Sequence, residues 1–173
     1  MVIPMVILQI AAQRGASVTG VDFAPAMVEY ARRLHPGLDF REGDANALPF
    51  GPATFDAAVA SFGLLHFDRP EHALVEMRRV LRPGGRVLVL QPNIRLVGGS
   101  YWNFIDHRVA LTDRSLVEAA GSAGFKTVRL IKRFLPFTTK GRLPQHPALV
   151  RAYLAFPPAW LLMGKQSLYL GEL

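Results

Sequence analysis

Four acidic, hydroxyl and imidazole groups fall where chain direction changes, and each suits a particular chemistry. Asp22 closes the β-rich run Val18–Val21. An acid at the end of such a strand is placed to accept both hydroxyls of a ribose. Asp44 follows the short run Leu38–Arg41 in the same way, within Gly43-Asp44-Ala45-Asn46. It could accept from an exocyclic amine, although Gly-Asp-Ala is equally a turn sequence. Ser61-Phe62-Gly63 and His66 follow a third run, Phe55–Ser61, where a substrate would approach. An imidazole there titrates near neutrality and could act as a base, or it could simply pack at the mouth of a pocket.

Short strands alternating with helices are needed to bring these groups together. Pro25 opens a segment in which Met27, Ala31 and Leu34 recur at helical spacing, and His35-Pro36-Gly37 stops it. Asp68-Arg69-Pro70-Glu71 starts a second helix, with proline at a first-turn position that has no N–H to lose. Leu74, Met77 and Leu81 mark its inner face, and Arg82-Pro83-Gly84-Gly85 ends it. Arg86–Leu90 is the clearest strand in the chain. This β-α-β-α-β rhythm predicts an α/β fold, a mostly parallel sheet with helices on both faces. After an irregular stretch (94–111), Thr112-Asp113 cap a helix reaching about Ala120, and Phe125–Ile131 reads as a strand. A helix over Pro147–Ala155 and a closing strand over Gln166–Leu170 complete the pattern. Tyr101, Trp102, Asp106 and His107 lie in the irregular stretch, as substrate contacts or as loop packing.

The chain is 173 residues long, half of them hydrophobic and 19% charged. One domain with a real core fits that length and composition; a disordered or coiled-coil protein does not. The absence of cysteine excludes disulfides, thiolate metal sites and cysteine nucleophiles, and agrees with a reducing cytoplasm. His35, His72 and His146 have no partners at ligand spacing, so no metal site is expected. Met1–Ala12 and Tyr153–Gly164 are the most apolar stretches, and both fall short of the ~20 residues a membrane span needs.

The net charge of +7 is unevenly held. Residues 1–93 carry nine basic and nine acidic residues, whereas 94–173 carry eleven basic residues against Asp106, Asp113, Glu118 and Glu172. Lys126, Arg129, Lys132, Arg133, Lys140, Arg142, Arg151 and Lys165 interleave with Phe134, Phe137, Tyr153, Phe156 and Trp160. Such a mixture can serve as a packed lid, a surface for anionic lipid or a nucleic-acid groove. Repeated prolines and the apolar cluster Leu154–Met163 favour them in that order.

Four segments in this order and spacing resemble the motifs of class I S-adenosylmethionine-dependent methyltransferases, and more narrowly the small-molecule branch called type 11. They are VTGVDFAPAMVEYARR, FREGDANALPF, FDAAVASFGLLHF and VLRPGGRVLVLQPN; GKQSLYLGE is similar to the closing strand of the family. The resemblance covers roughly residues 8–134. It implies a Rossmann-like domain over residues 1–173, with a cofactor-binding half (1–93) and an acceptor-side half (94–173) that includes a basic helical insert (135–165). It also implies that Asp22 holds the ribose hydroxyls and that Phe23 packs against the adenosine. Asp44 would accept from the adenine amine with the Ala45 backbone beside it, and Ser61 and Phe62 would line the junction of cofactor and substrate. His66, singled out by its chemistry and not by the resemblance, is the candidate for a catalytic base.

The family pattern places a strand and a D-x-G-x-G turn ahead of the helix that here ends near Gln13-Arg14-Gly15. Met1-Val2-Ile3-Pro4-Met5 occupies that place without a glycine. The resemblance therefore leads us to expect a chain truncated at its N-terminus, lacking the first strand and glycine loop. The expected function is methyl transfer from S-adenosylmethionine to a small, amphipathic or anionic acceptor in the cytoplasm. Peripheral membrane contact through 135–165 is a further expectation, and nucleic acid ranks last among partners. The rival readings are a non-catalytic or partner-dependent subunit, and a nicotinamide dehydrogenase. Gly43-Asp44-Ala45 speaks against the dehydrogenase.

Overall fold

The computed structural model describes residues 3–136 and 147–173. Six strands and seven α-helices follow in the order α1 (Ile3–Gln13), β1 (Thr19–Asp22), α2 (Pro25–Leu34), β2 (Asp39–Glu42), β3 (Phe55–Ser61), α3 (Pro70–Val80), β4 (Leu81–Pro92), α4 (Ile94–Val97), α5 (Asp113–Ser122), β5 (Lys126–Ile131), α6 (Pro147–Ala155), α7 (Pro157–Met163) and β6 (Gln166–Glu172). The expected α/β alternation is present, with boundaries that differ by a residue or two.

One boundary differs more. Leu81 ends no helix: it begins β4 and pairs with Phe55, because the backbone turns extended at Leu81 as soon as α3 stops at Val80. Residues 82–85, expected as the stop of that helix, belong to a long, bulged strand. α7 is a helix that the sequence expectations do not include; Pro157 and Pro158 occupy its first turn, where no N–H is required.

The strands form two separate sheets, β1-β2 and β3-β4-β6-β5. Pairing is parallel for β1 with β2 and for β3 with β4, and antiparallel for β4 with β6 and β5 with β6. The sheet is thus mixed, and its parallel part is confined to the first four strands. The long excursion between β5 and β6 allows β6 to return in the opposite sense.

Side chains alternate across β4 and β6 as a strand requires. Val87, Val89 and Tyr169 enter a core shared with Leu74, Met77, Leu116 and Phe125, under α3 and α5. Leu90 and Leu168 point the other way, into a second core with Phe62, Leu65, Val97 and Tyr101. A third cluster, Val28, Ala31 and Phe40 with Leu8 and Leu38, joins α1 and α2 to the small sheet. Gly20 permits this packing, since a Cβ there would lie 2.6 Å from the Phe40 ring and 2.9 Å from Leu8. No ladder joins β1 to β3, and the space between their edges is an apolar cleft of about 150 Å³ lined by Leu8, Val21, Val59 and Ser61.

Candidate functional site

The carboxyl ends of β1, β2 and β3 meet at a larger cleft of about 540 Å³. Open α/β sheets present ligands at this end, where loops leave the strands. One wall consists of Asp22, Phe23, Ala24 and Met27 after β1, with Gly43 and Ala45 after β2. The opposite wall is Val59–Gly63 with His66 and Phe67, and Asp106 and Arg108 close the far side.

Asp22 is exposed, and its Oδ1 accepts from the Ala24 N–H at 2.9 Å. That bond fixes the carboxylate at the entry to α2, whose N-cap position, Ala24, has no side chain able to cap it. The second oxygen has no hydrogen bond among the described residues. The Phe23 ring is 71% exposed over the same wall, so an apolar face there is left for a ligand to cover.

Ser61 is buried, and its Oγ has no hydrogen-bond partner among the described residues. A buried hydroxyl without a partner carries a desolvation penalty that a ligand can relieve. Phe62 is also buried and adopts φ of 58°. That left-handed backbone is unfavourable for an aromatic residue, and such strain gathers at binding sites. Its N–H is nonetheless satisfied by Leu90 O at 2.8 Å, which holds the turn at the end of β3.

Asp44 behaves differently. Its Oδ1 accepts from the backbone and side chain of Asn46, at 2.8 and 3.0 Å, and it does not line the cleft. The carboxylate shapes the turn that carries Ala45. Six of the seven sequence-selected residues (Asp22, Phe23, Ala45, Ser61, Phe62 and His66) therefore share one cleft, and Asp44 stands behind it.

His66 follows β3 in a single 3₁₀ turn, Leu64–His66. Its Nδ1 lies 2.9 Å from the Asp106 carbonyl oxygen and 3.6 Å from the Asp106 carboxylate. A carbonyl can only accept, so Nδ1 carries the proton and Nε2 is the basic nitrogen of the neutral ring. Arg108 also lines this cleft, a residue absent from the sequence expectations. No periodicity or motif could have found it, because it lies in an irregular stretch.

The other aromatic residues of that stretch contact one another. Tyr101 is fully buried and its hydroxyl donates to Val109 O; burial pushes this phenol up to about 12. His107 Nδ1 lies 2.7 Å from Tyr101 O, and its ring packs on Tyr101 and Phe104. Trp102 stands edge-on to the Tyr101 ring. Behind the cleft, the buried Asn93 amide donates to Asp113 Oδ1 at 3.0 Å and to Ser167 Oγ at 3.1 Å, tying β4, α5 and β6 together. The described parts of the basic insert, α6 and α7, do not line this cleft. Phe137, Lys140, Arg142 and His146 lie outside the described residues.

The fold and cleft define a class of protein: an open α/β domain with a cleft at its strand ends. Residues 5–89, just under half of the chain, match the profile of a methyltransferase domain. A demethylmenaquinone methyltransferase of Renibacterium salmoninarum is 44% identical over 80 residues, which is 46% of this chain and 34% of that protein. The chain spans about a third of the length of the curated relatives it matches. Among solved structures, an S-adenosylmethionine-dependent methyltransferase from Mesorhizobium loti shares the fold, with a TM-score of 0.71 at 17% identity, covering 96% of this chain and 85% of that one. The [4+2]-cyclase SpnF gives a TM-score of 0.70 at 25% identity, covering 96% and 69%. No helix among the described residues is long and apolar enough to cross a membrane.

Proposed function

We propose that this chain binds S-adenosylmethionine in the cleft at the ends of β1–β3 and transfers its methyl group to a small acceptor of amphipathic or anionic character. The observation that carries this reading is the convergence of a partly free carboxylate, an exposed ring and an unpartnered buried hydroxyl on one cleft. These residues fit the adenosine end of the cofactor. Asp22 would accept from the ribose hydroxyls, Phe23 would cover the base, and the Ala45 backbone would lie along its edge. Ser61 and Phe62 would border the acceptor.

The bound cofactor supplies an electrophilic methyl group on a positively charged sulfur. The protein aligns the acceptor atom with that methyl group and keeps water out. His66 is suited to take the proton that the acceptor loses. Nδ1–H is committed to the Asp106 carbonyl oxygen, so Nε2 is free to accept. Arg108 would attract an anionic or strongly polar head group. The relatives named demethylmenaquinone methyltransferase support a small-molecule acceptor.

Calorimetry with S-adenosylmethionine and with its demethylated product tests the binding half of this reading. Saturable binding of both, and transfer of label to an acceptor that falls when His66 is changed to Gln, are the expected results. A His66→Gln variant that keeps full turnover removes the base from the scheme. The solved cyclase shows that this fold also hosts other reactions, so transfer of label is the decisive readout. A second reading, a partner-dependent subunit, is favoured by the unladdered edges of β1 and β3. If the chain alone binds neither form of the cofactor, that second reading replaces the first.

A further inference from the structure

α7 buries none of its side chains. Leu161 and Leu162 are 68% and 86% exposed, and Phe156, just ahead of the helix, is 60% exposed. Leu149, Val150 and Leu154 of α6 are exposed as well. Single exposed apolar residues are ordinary, but a run of them on two consecutive helices marks a contact surface.

The surface is held firmly from behind. The Tyr153 hydroxyl donates to Phe134 O at 2.6 Å, and Trp160 Nε1 donates to Tyr153 O at 2.8 Å. Arg133 donates to Leu161 O at 3.1 Å, and the Trp160 ring stands edge-on to Phe134 with centroids 5.1 Å apart. Tyr153 and Trp160 thus face the body of the protein, while Leu161 and Leu162 face away from it.

Charge identifies the occupant. Between Glu118 and Glu172 the sequence holds eight Lys and Arg and no acid. Among the described residues, exposed Arg151 lies on α6 and exposed Lys165 lies two residues beyond the end of α7. A second copy of this chain would set these cations against their own kind. An anionic bilayer instead takes up the apolar side chains at its acyl boundary and the cations at its phosphates.

We propose that the outer side of α6 and α7 docks on an anionic lipid surface, with Phe156, Leu161 and Leu162 entering the interface and Arg151 and Lys165 meeting head-group phosphates. The inference stands apart from methyl transfer, since neither helix lines the cofactor cleft.

Co-sedimentation of the whole chain with phosphatidylglycerol vesicles, and with phosphatidylcholine vesicles as the neutral control, tests it. Binding to the anionic vesicles should exceed binding to the neutral ones by roughly tenfold or more and should weaken with salt. The double variant Leu161→Glu/Leu162→Glu should lose that binding while its melting temperature and cofactor affinity stay unchanged, because both side chains already face solvent. Arg151→Gln/Lys165→Gln should lose the preference for anionic lipid. Equal binding to both vesicles, no binding, or binding indifferent to the leucine variant overturns the proposal. So does sedimentation velocity showing a dimer that the leucine variant dissolves, which would make the surface a self-association site.

Discussion

Replacing Asp22 separates what this carboxylate does for the fold from what it does for the ligand. Its Oδ1 accepts from the Ala24 N–H at 2.9 Å at the start of α2, and its other oxygen is free among the described residues. Asp22→Asn keeps an acceptor for Ala24 and removes the charge; Asp22→Ala removes both. The lost turn bond is exposed and rehydrated in the alanine variant, so it should cost about 0.5–1 kcal/mol of stability. In a chain of this size that lowers the melting temperature by roughly 1–4 °C. The ligand side is larger. Two hydrogen bonds from ribose hydroxyls to a carboxylate are worth about 1.5 kcal/mol each at an exposed site, the low end for charged acceptors. Their joint loss in Asp22→Ala, about 3 kcal/mol, is roughly a hundredfold in Kd. An asparagine carbonyl retains one neutral bond, so Asp22→Asn should lose about 2 kcal/mol, roughly thirtyfold. Titration calorimetry of the two variants and the unaltered chain, paired with thermal melts, reads both quantities. Asp22→Asn that melts like the parent yet binds tens of times more weakly supports the assignment. Both variants binding within a factor of about three of the parent would refute it, as that difference is below one charged hydrogen bond.

Two further outcomes rest on the interior. Burial alone would raise the Asp113 carboxyl, but the Asn93 hydrogen bond and the Arg95 charge outweigh it and hold the group below its usual 3.8. A lowered folded-state value stabilises the protein above the unfolded-state value, and that stability is lost as pH falls through the folded one. Urea midpoints measured down the acid range should therefore fall less steeply in Asp113→Asn than in the parent, with Glu76, also lowered by its bond to Arg79, retaining part of the slope. Leu74 is fully buried between α3 and β4, and Leu74→Ala should cost about 2–5 kcal/mol by chemical denaturation. A smaller loss would mean that the α3–α5 interface closes over the gap.

Legibility of the chain followed the range of the forces involved. α2, β3 and α6 were readable to the residue because proline sets a helix start locally, and a β-branched or small run needs no distant partner to be recognised. The start of β4 was not, because Leu81 sits on helical spacing from Leu74 and Met77, and only its pairing with Phe55 makes it strand. Antiparallel β6 was read as a strand without its direction, which depends on where residues 132–165 take the chain. In the cleft, the groups at strand ends were legible because strand ends converge in any open α/β sheet. Asp106 is legible only as part of a covering loop, and Arg108 carries no sequence signal. Their approach to His66 comes from backbone bonds of Arg108 and Val109 to Leu65 O, at 2.9 and 3.2 Å, which no local pattern records.

The missing ladder between β1 and β3 bears on how the molecule comes apart. α1, α2 and the small sheet have an apolar cluster of their own and share no hydrogen-bonded strand pair with the larger sheet. They form a natural subunit of local unfolding, able to open at lower cost than the core under α3 and α5. The cleft straddles this seam, with Asp22, Phe23 and Ala45 on one side and Ser61, Phe62 and His66 on the other. Any molecule that touches both walls contributes its binding free energy to the cohesion of the two parts. The ligand is then a structural joint, and two melting events separable in the free chain merge towards one as it binds.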